Sequence, residues 1–109
     1  MTNGGLKIMA RVKITVLKRI LNPELIEKYS KDPDLQLCET FQEGQVFYTD
    51  RVSRMPEGFC GFAWADIHKD VVALVTGGSF GWIKGKGKQI TCCTDGLRPV
   101  FFLLERVDE

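Results

Sequence analysis

The sequence predicts an α+β domain: a mostly antiparallel four-stranded sheet with two helices packed on one face, in the order β-α-β-α-β-β. Three observations predict it. The runs Arg11–Lys18 and Gln45–Asp50 alternate apolar and polar residues with period two, as half-buried strands do. From Phe59 to about Thr76, Cys60, Trp64, Ile67, Val71, Leu74 and Val75 recur at helical spacing. The two closing strand-like runs are separated by the short turn signal Asp95-Gly96, which makes them antiparallel neighbours.

In the first strand Val12, Ile14 and Val16 face one way, and Lys13 and Thr15 the other. Asn22-Pro23-Glu24 then starts a helix of about two turns. Asn22 is the expected cap, Pro23 suits the first helical position, and Glu24 suits the positive end of the dipole. Leu25, Ile26 and Tyr29 form its stripe, and Asp32-Pro33-Asp34 stops it. Leu35 to Phe41 reads as a loop carrying Cys38. Glu43-Gly44 is a turn into the second strand, and Pro56-Glu57-Gly58 ends that strand's neighbourhood.

The long helix is expected to bury Trp64, Ile67, Val71 and Leu74 and to leave Lys69 and Asp70 in water. Gly77-Gly78 ends it, because glycine takes the left-handed C′ conformation without penalty. Ser79 to Lys88 is a glycine-rich loop, and Lys88–Thr94 is the third strand. Val100–Val107 is the fourth, apolar on both faces, and so either central in a sheet or at an oligomer interface. Pro99 lacks an N–H and fits only at that strand's beginning.

A chain of 109 residues supports one core. We expect residues 1–8 to be a loose extension and residues 9–109 a single domain. Fifteen Lys and Arg against fourteen Asp and Glu leave a net charge of +1, too little for a global field that attracts nucleic acid or an anionic membrane. No apolar run approaches the roughly 20 residues that cross a bilayer. The N-terminus lacks the pattern of a signal peptide, so the expected compartment is the cytoplasm, where thiols stay reduced.

Chemistry centres on four cysteines, Cys38, Cys60, Cys92 and Cys93. None forms a C-x-x-C pair, which argues against a zinc ribbon or a thioredoxin-type motif. Neighbours on a strand point to opposite faces, so only one of Cys92 and Cys93 readily joins a given site. Cys60 stands at the start of the long helix, where the dipole favours a reactive sulfur. One reading gathers Cys38, Cys60 and one of the vicinal pair into a thiol redox site or a site for a transition metal such as zinc or iron, with Cys38, Cys60 and Cys93 as ligands. Another buries each as a small hydrophobe. A disulfide is the third.

His68 lies eight residues beyond Cys60, roughly 12 Å along a helix, too far to share a metal with it, and reads as a residue on the helix flank. Gly81 to Lys88 combines Trp82 with three lysines but lacks the Walker A spacing, and reads as a solvated loop. Arg98 suits a carboxylate or phosphate in fork geometry, or an ion pair with Asp95 or Asp66 that fixes the turn.

Two stretches, Pro56-Glu57-Gly58-Phe59-Cys60-Gly61-Phe62-Ala63-Trp64-Ala65-Asp66-Ile67 and Cys92-Cys93-Thr94-Asp95-Gly96-Leu97-Arg98-Pro99-Val100-Phe101-Phe102, resemble the signatures of a family of small uncharacterised prokaryotic proteins. The resemblance extends to Val12–Leu17 and Phe41–Phe47, and covers nearly everything from Met9 to Val107. It implies recurrent positions at Cys38, Cys60, Asp66, Cys93, Asp95 and Arg98, and no established activity. A proline often follows the loop cysteine in that family, where this chain has Glu39.

Three functions follow as expectations. The first is the thiol site. The second is a small-molecule or anion-binding module with Trp64, Trp82, Asp66, Asp95 and Arg98 rimming a pocket. The third is a homo-oligomeric structural subunit built on the last strand.

Overall fold

The computed structural model describes residues 10–107. The fold is α+β: an antiparallel four-stranded sheet with two helices. The strands are β1 (Arg11–Arg19), β2 (Val46–Tyr48), β3 (Lys88–Cys92) and β4 (Val100–Val107); the helices are α1 (Pro23–Tyr29) and α2 (Gly61–Val75). The expected extension, residues 1–8, lies outside the described residues.

The sheet order is β2-β1-β4-β3. β1 pairs with β4 over almost its whole length, from Arg11 opposite Val107 to Arg19 opposite Val100, with an irregularity between Val16 and Lys18. β3 and β4 form the expected antiparallel pair, Cys92 opposite Phe101. β4 is therefore central. Val100, Phe102 and Leu104 are fully buried on one face; Phe101 and Leu103 are half-buried on the other.

α2 crosses the sheet face made by Val12, Ile14, Val16, Val100, Phe102 and Leu104, and adds Ala63, Ile67, Val71, Leu74 and Val75 to the same core. The opposite face leaves Leu17, Val46 and Ile90 more than a third exposed. α1 does less: at seven residues it is too short to cross four strands, and Ile26 is its one buried residue. It sits at the end of the sheet, where the Asn22 N–H donates to the Leu97 carbonyl (2.9 Å).

Several boundaries differ from expectation for identifiable reasons. Asn22 precedes α1 but does not cap it with its side chain; its amide Nδ2 donates instead to the Gly96 carbonyl. β2 ends at Tyr48 because the buried Thr49 takes over the bonding, its hydroxyl accepting the Val12 N–H (3.0 Å) and donating to the Asp50 carbonyl (2.9 Å). β3 ends at Cys92, although the Cys93 N–H still donates to the Val100 carbonyl (3.0 Å).

Two burial expectations on α2 are corrected. Asp70 is buried, at 8% exposure, because it falls on the stripe Ala63, Ile67, Asp70, Leu74; the Lys69 ammonium stands 3.7 Å from its Oδ2. Trp64 is half-buried at the helix flank rather than fully in the core. The end of α2 is as expected. Gly77, at φ +97, donates to the Leu74 carbonyl (3.1 Å), and Gly78 to the Ala73 carbonyl (2.8 Å), the bonding of a Schellman motif. A Cβ on Gly78 would lie 2.9 Å from the Ala73 oxygen, so the second glycine is also required.

Candidate functional site

The core beside α2 is aromatic at one end. Phe41, Phe47, Phe59 and Phe102 stack through edge and tilted contacts at centroid distances of 5.0 to 5.9 Å. Phe41, which the sequence leaves in a loop, is 1% exposed and anchors the segment that carries Cys38. Above this cluster three segments meet: the loop around Cys38, the first turns of α2, and the loop 93–99 between β3 and β4. They enclose a pocket of about 510 Å³, with Phe41, Ala63 and Val100 among its apolar walls.

Each wall is fastened. Arg19, at the end of β1, donates from Nη1 to the Cys38 carbonyl (2.8 Å) and pairs with Glu43 (Nη2 to Oε1, 2.9 Å). The hydrogen bond that Arg19 Nε donates to Glu43 Oε1 (3.1 Å), reinforced by charge, holds the Glu43 carboxyl below its usual range and the Arg19 guanidinium above its own. On α2, the Asp66 carboxylate accepts the Thr94 N–H (2.8 Å) and the Thr94 hydroxyl (3.0 Å), tying the helix to the loop after β3. In that loop Asp95 Oδ1 accepts the N–H groups of Leu97 (3.0 Å) and Arg98 (3.2 Å), which closes the turn. The Ile20 N–H, donating to the Pro99 carbonyl (3.1 Å), holds the far end of the loop to β1.

Cys38, Cys60, Cys93, Asp66, Asp95 and Arg98 all line this pocket. All four cysteines are free, half-buried thiols. Cys60 is the N-cap residue of α2 and makes no capping bond with its sulfur. The Cys93 sulfur accepts the Val100 N–H at 3.3 Å. Cys92 is not among the lining residues. Burial pushes its thiol pKa up; the Cys93 and Asp66 charges act the same way and Lys69 opposes them.

Compared with known protein families, curated proteins and solved structures, the chain matches none. The chemistry of the pocket is therefore read from its residues.

Among the described residues, no three His, Cys, Asp or Glu side chains are grouped to hold a metal ion. Cys38, Cys60 and Cys93 thus share a pocket without forming the close cluster that a zinc or iron site requires.

The aromatic rim is also corrected. Trp64 leans on Phe59 (5.9 Å) and stacks on His68 (5.0 Å), outside the pocket, and His68 Nε2 lies 3.2 Å from the Ser53 carbonyl on the helix flank. Trp82 is 75% exposed and touches Phe80 in the glycine-rich loop. The aromatic residue at the mouth is Phe62, 89% exposed. Its signal in the sequence is its position: a large apolar side chain off the buried stripe, two residues after a cysteine at a helix start.

Arg98 pairs with Asp95, as one sequence reading has it, but loosely: Nε stands 3.7 Å from Asp95 Oδ2, and Nη1 is 3.4 Å from the Gln36 carbonyl.

Proposed function

We propose that this protein is a thiol redox protein whose pocket exchanges disulfides with small thiol compounds. One observation carries the reading: three cysteines from three distant segments line one pocket, while the fourth, adjacent in sequence to one of them, does not. Three separate apolar burials would not require a shared cavity.

Read as a cytoplasmic protein, the chain rests with its thiols reduced. The pocket then works as follows. A thiolate of one pocket cysteine attacks a sulfur of a small disulfide, forming a mixed disulfide and releasing one thiolate, which takes up a proton. A second pocket cysteine, losing its proton, attacks the protein sulfur of the mixed disulfide. The second small thiol leaves, and a protein disulfide remains. The protein dithiol is oxidised by two electrons; the small disulfide is reduced to two thiols. No helix among the described residues is long and apolar enough to cross a membrane.

Oxidation of the native protein with excess 2-hydroxyethyl disulfide, followed by alkylation and peptide mapping, tests the reading. The expected product is a disulfide between two of Cys38, Cys60 and Cys93, with Cys92 alkylated as a free thiol. Four free thiols after prolonged exposure, or a bridge that always includes Cys92, would overturn it.

A further inference from the structure

We infer that the disulfides this pocket exchanges carry a carboxylate, and that Arg98 docks that carboxylate beside Cys38, Cys60 and Cys93. This deepens the thiol-exchange reading and rests on it.

Arg98 is the only cation among the described residues lining the pocket. Its guanidinium offers a planar fork of donors that matches a carboxylate in a bidentate contact. The fork is poorly occupied: its contacts to Asp95 and to the Gln36 carbonyl are 3.7 and 3.4 Å, longer than a charge-assisted hydrogen bond of about 2.8 Å. The two lining carboxylates are committed elsewhere. Asp66 is held by the Thr94 N–H and hydroxyl, and Asp95 Oδ1 by two turn amides. A ligand carboxylate therefore competes with one long ion-pair contact, not with a formed bidentate pair.

Two further features suit the same ligand. α2 begins at the pocket wall with no acidic residue in its first turn and no side-chain cap, and the carboxylate of its second turn, Asp66, is bonded to Thr94. Phe62, almost fully exposed at the mouth, offers an apolar face for the methylenes between the carboxylate and the sulfur. The ligand class is thus a short aliphatic disulfide with a carboxylate within a few bonds of sulfur.

The chemistry is the two-step exchange given above, with nothing added. Arg98 is a positioning residue: it binds the end of the substrate that does not react.

The experiment compares oxidation of the folded protein by three probes: 3,3′-dithiodipropionate (anionic), 2-hydroxyethyl disulfide (neutral) and cystamine (cationic). Each rate is normalised to that of a small free thiol with the same probe. The anionic probe is expected to be about tenfold favoured over the neutral one, the factor that 1.4 kcal/mol represents. Arg98→Gln should remove that preference, read as the ratio of the anionic to the neutral rate within the same variant. Arg98→Lys, which keeps the charge and loses the fork, should restore part of it. Added salt should erode the preference in the native protein, a readout independent of any variant's folding.

Equal normalised rates for anionic and neutral probes, or a preference for cystamine, would overturn the role of Arg98 while leaving the exchange reading standing. Failure of all three probes to oxidise the folded protein would remove the exchange reading and this inference with it. An Arg98→Gln protein that keeps the preference would also overturn the inference.

Discussion

Burial pushes the Cys92 thiol pKa up, and one strand position separates it from Cys93, which opens into the pocket. The shift has a definite sign for stability. A thiol whose folded pKa is raised favours the protonated form, so its contribution is complete below the unfolded value of about 8.5 and is lost as pH rises through the folded value. The pH profile of alkylation by iodoacetamide, resolved by peptide, measures this directly. For Cys92 the half-maximal pH should be higher in native than in urea-unfolded protein. Comparing midpoints separates the shift from the slower access that burial also causes, and coincident midpoints would show that the thiol is not perturbed.

The same scale shows what single residues disclose in a sequence. Cys60, Asp95 and Arg98 are legible because each stands at a helix start or a turn, where local chemistry fixes its place. Asp70 is not. Its charge marks it for solvent, but its spacing from Ala63, Ile67 and Leu74 puts it on the buried stripe, and spacing decides. Arg19 is invisible as a site residue, because its grip on the Cys38 carbonyl joins positions 19 apart with no shared local pattern.

At the scale of the element, α2 carries most of the packing. Val71 is fully buried in the core, whereas Lys69 is largely exposed. Val71→Asp places an unpaired carboxylate among Val, Ile and Leu, a cost of several kcal/mol against a total stability of about 5–15 kcal/mol. Lys69→Ala removes a 3.7 Å contact to Asp70 and a 3.1 Å hydrogen bond to the Asp66 carbonyl, both made by a largely exposed ammonium, which changes stability by less than about 1 kcal/mol. Urea denaturation of the two proteins should give an unfolded or strongly destabilised Val71→Asp and a nearly native Lys69→Ala. Similar midpoints for both would refute the helix orientation. The short elements explain where periodicity falls short. Three residues of β2 and seven of α1 hold too few repeats to set their ends, which side-chain bonds of Thr49 and Asn22 decide instead.

Across the whole molecule, the first and last strands pair with each other at the centre of the sheet. β1 lies between β2 and β4, and β4 between β1 and β3. The hairpin of β3 and β4 can be read from its turn. The β1–β4 pairing cannot, because it joins residues some ninety positions apart, from Arg11 with Val107 to Arg19 with Val100, and nothing local records it. That pairing nevertheless sets the pocket, since it brings the Arg19 end of β1 beside the start of β4, and with it the Cys38 loop beside Cys93 and Arg98. It also predicts how the protein opens. Amides bonded within β1–β4 can exchange only when the core of Val12, Ile14, Val16, Phe102 and Leu104 is lost, which is global unfolding. Amides of α1, with one buried residue, and of the three-residue edge strand β2 can exchange by local opening at smaller free energy. Native-state hydrogen exchange should therefore show the β1–β4 amides with the full unfolding free energy and the urea dependence of the denaturation curve. α1 and β2 should show lower free energies and little urea dependence. If β1 and β4 exchange in separate steps, the ends of the chain are not one cooperative unit. The Cys38 loop, held to β1, could then part from the loop 93–99 that leads into β4 without the protein unfolding, and the thiols would lose their shared enclosure.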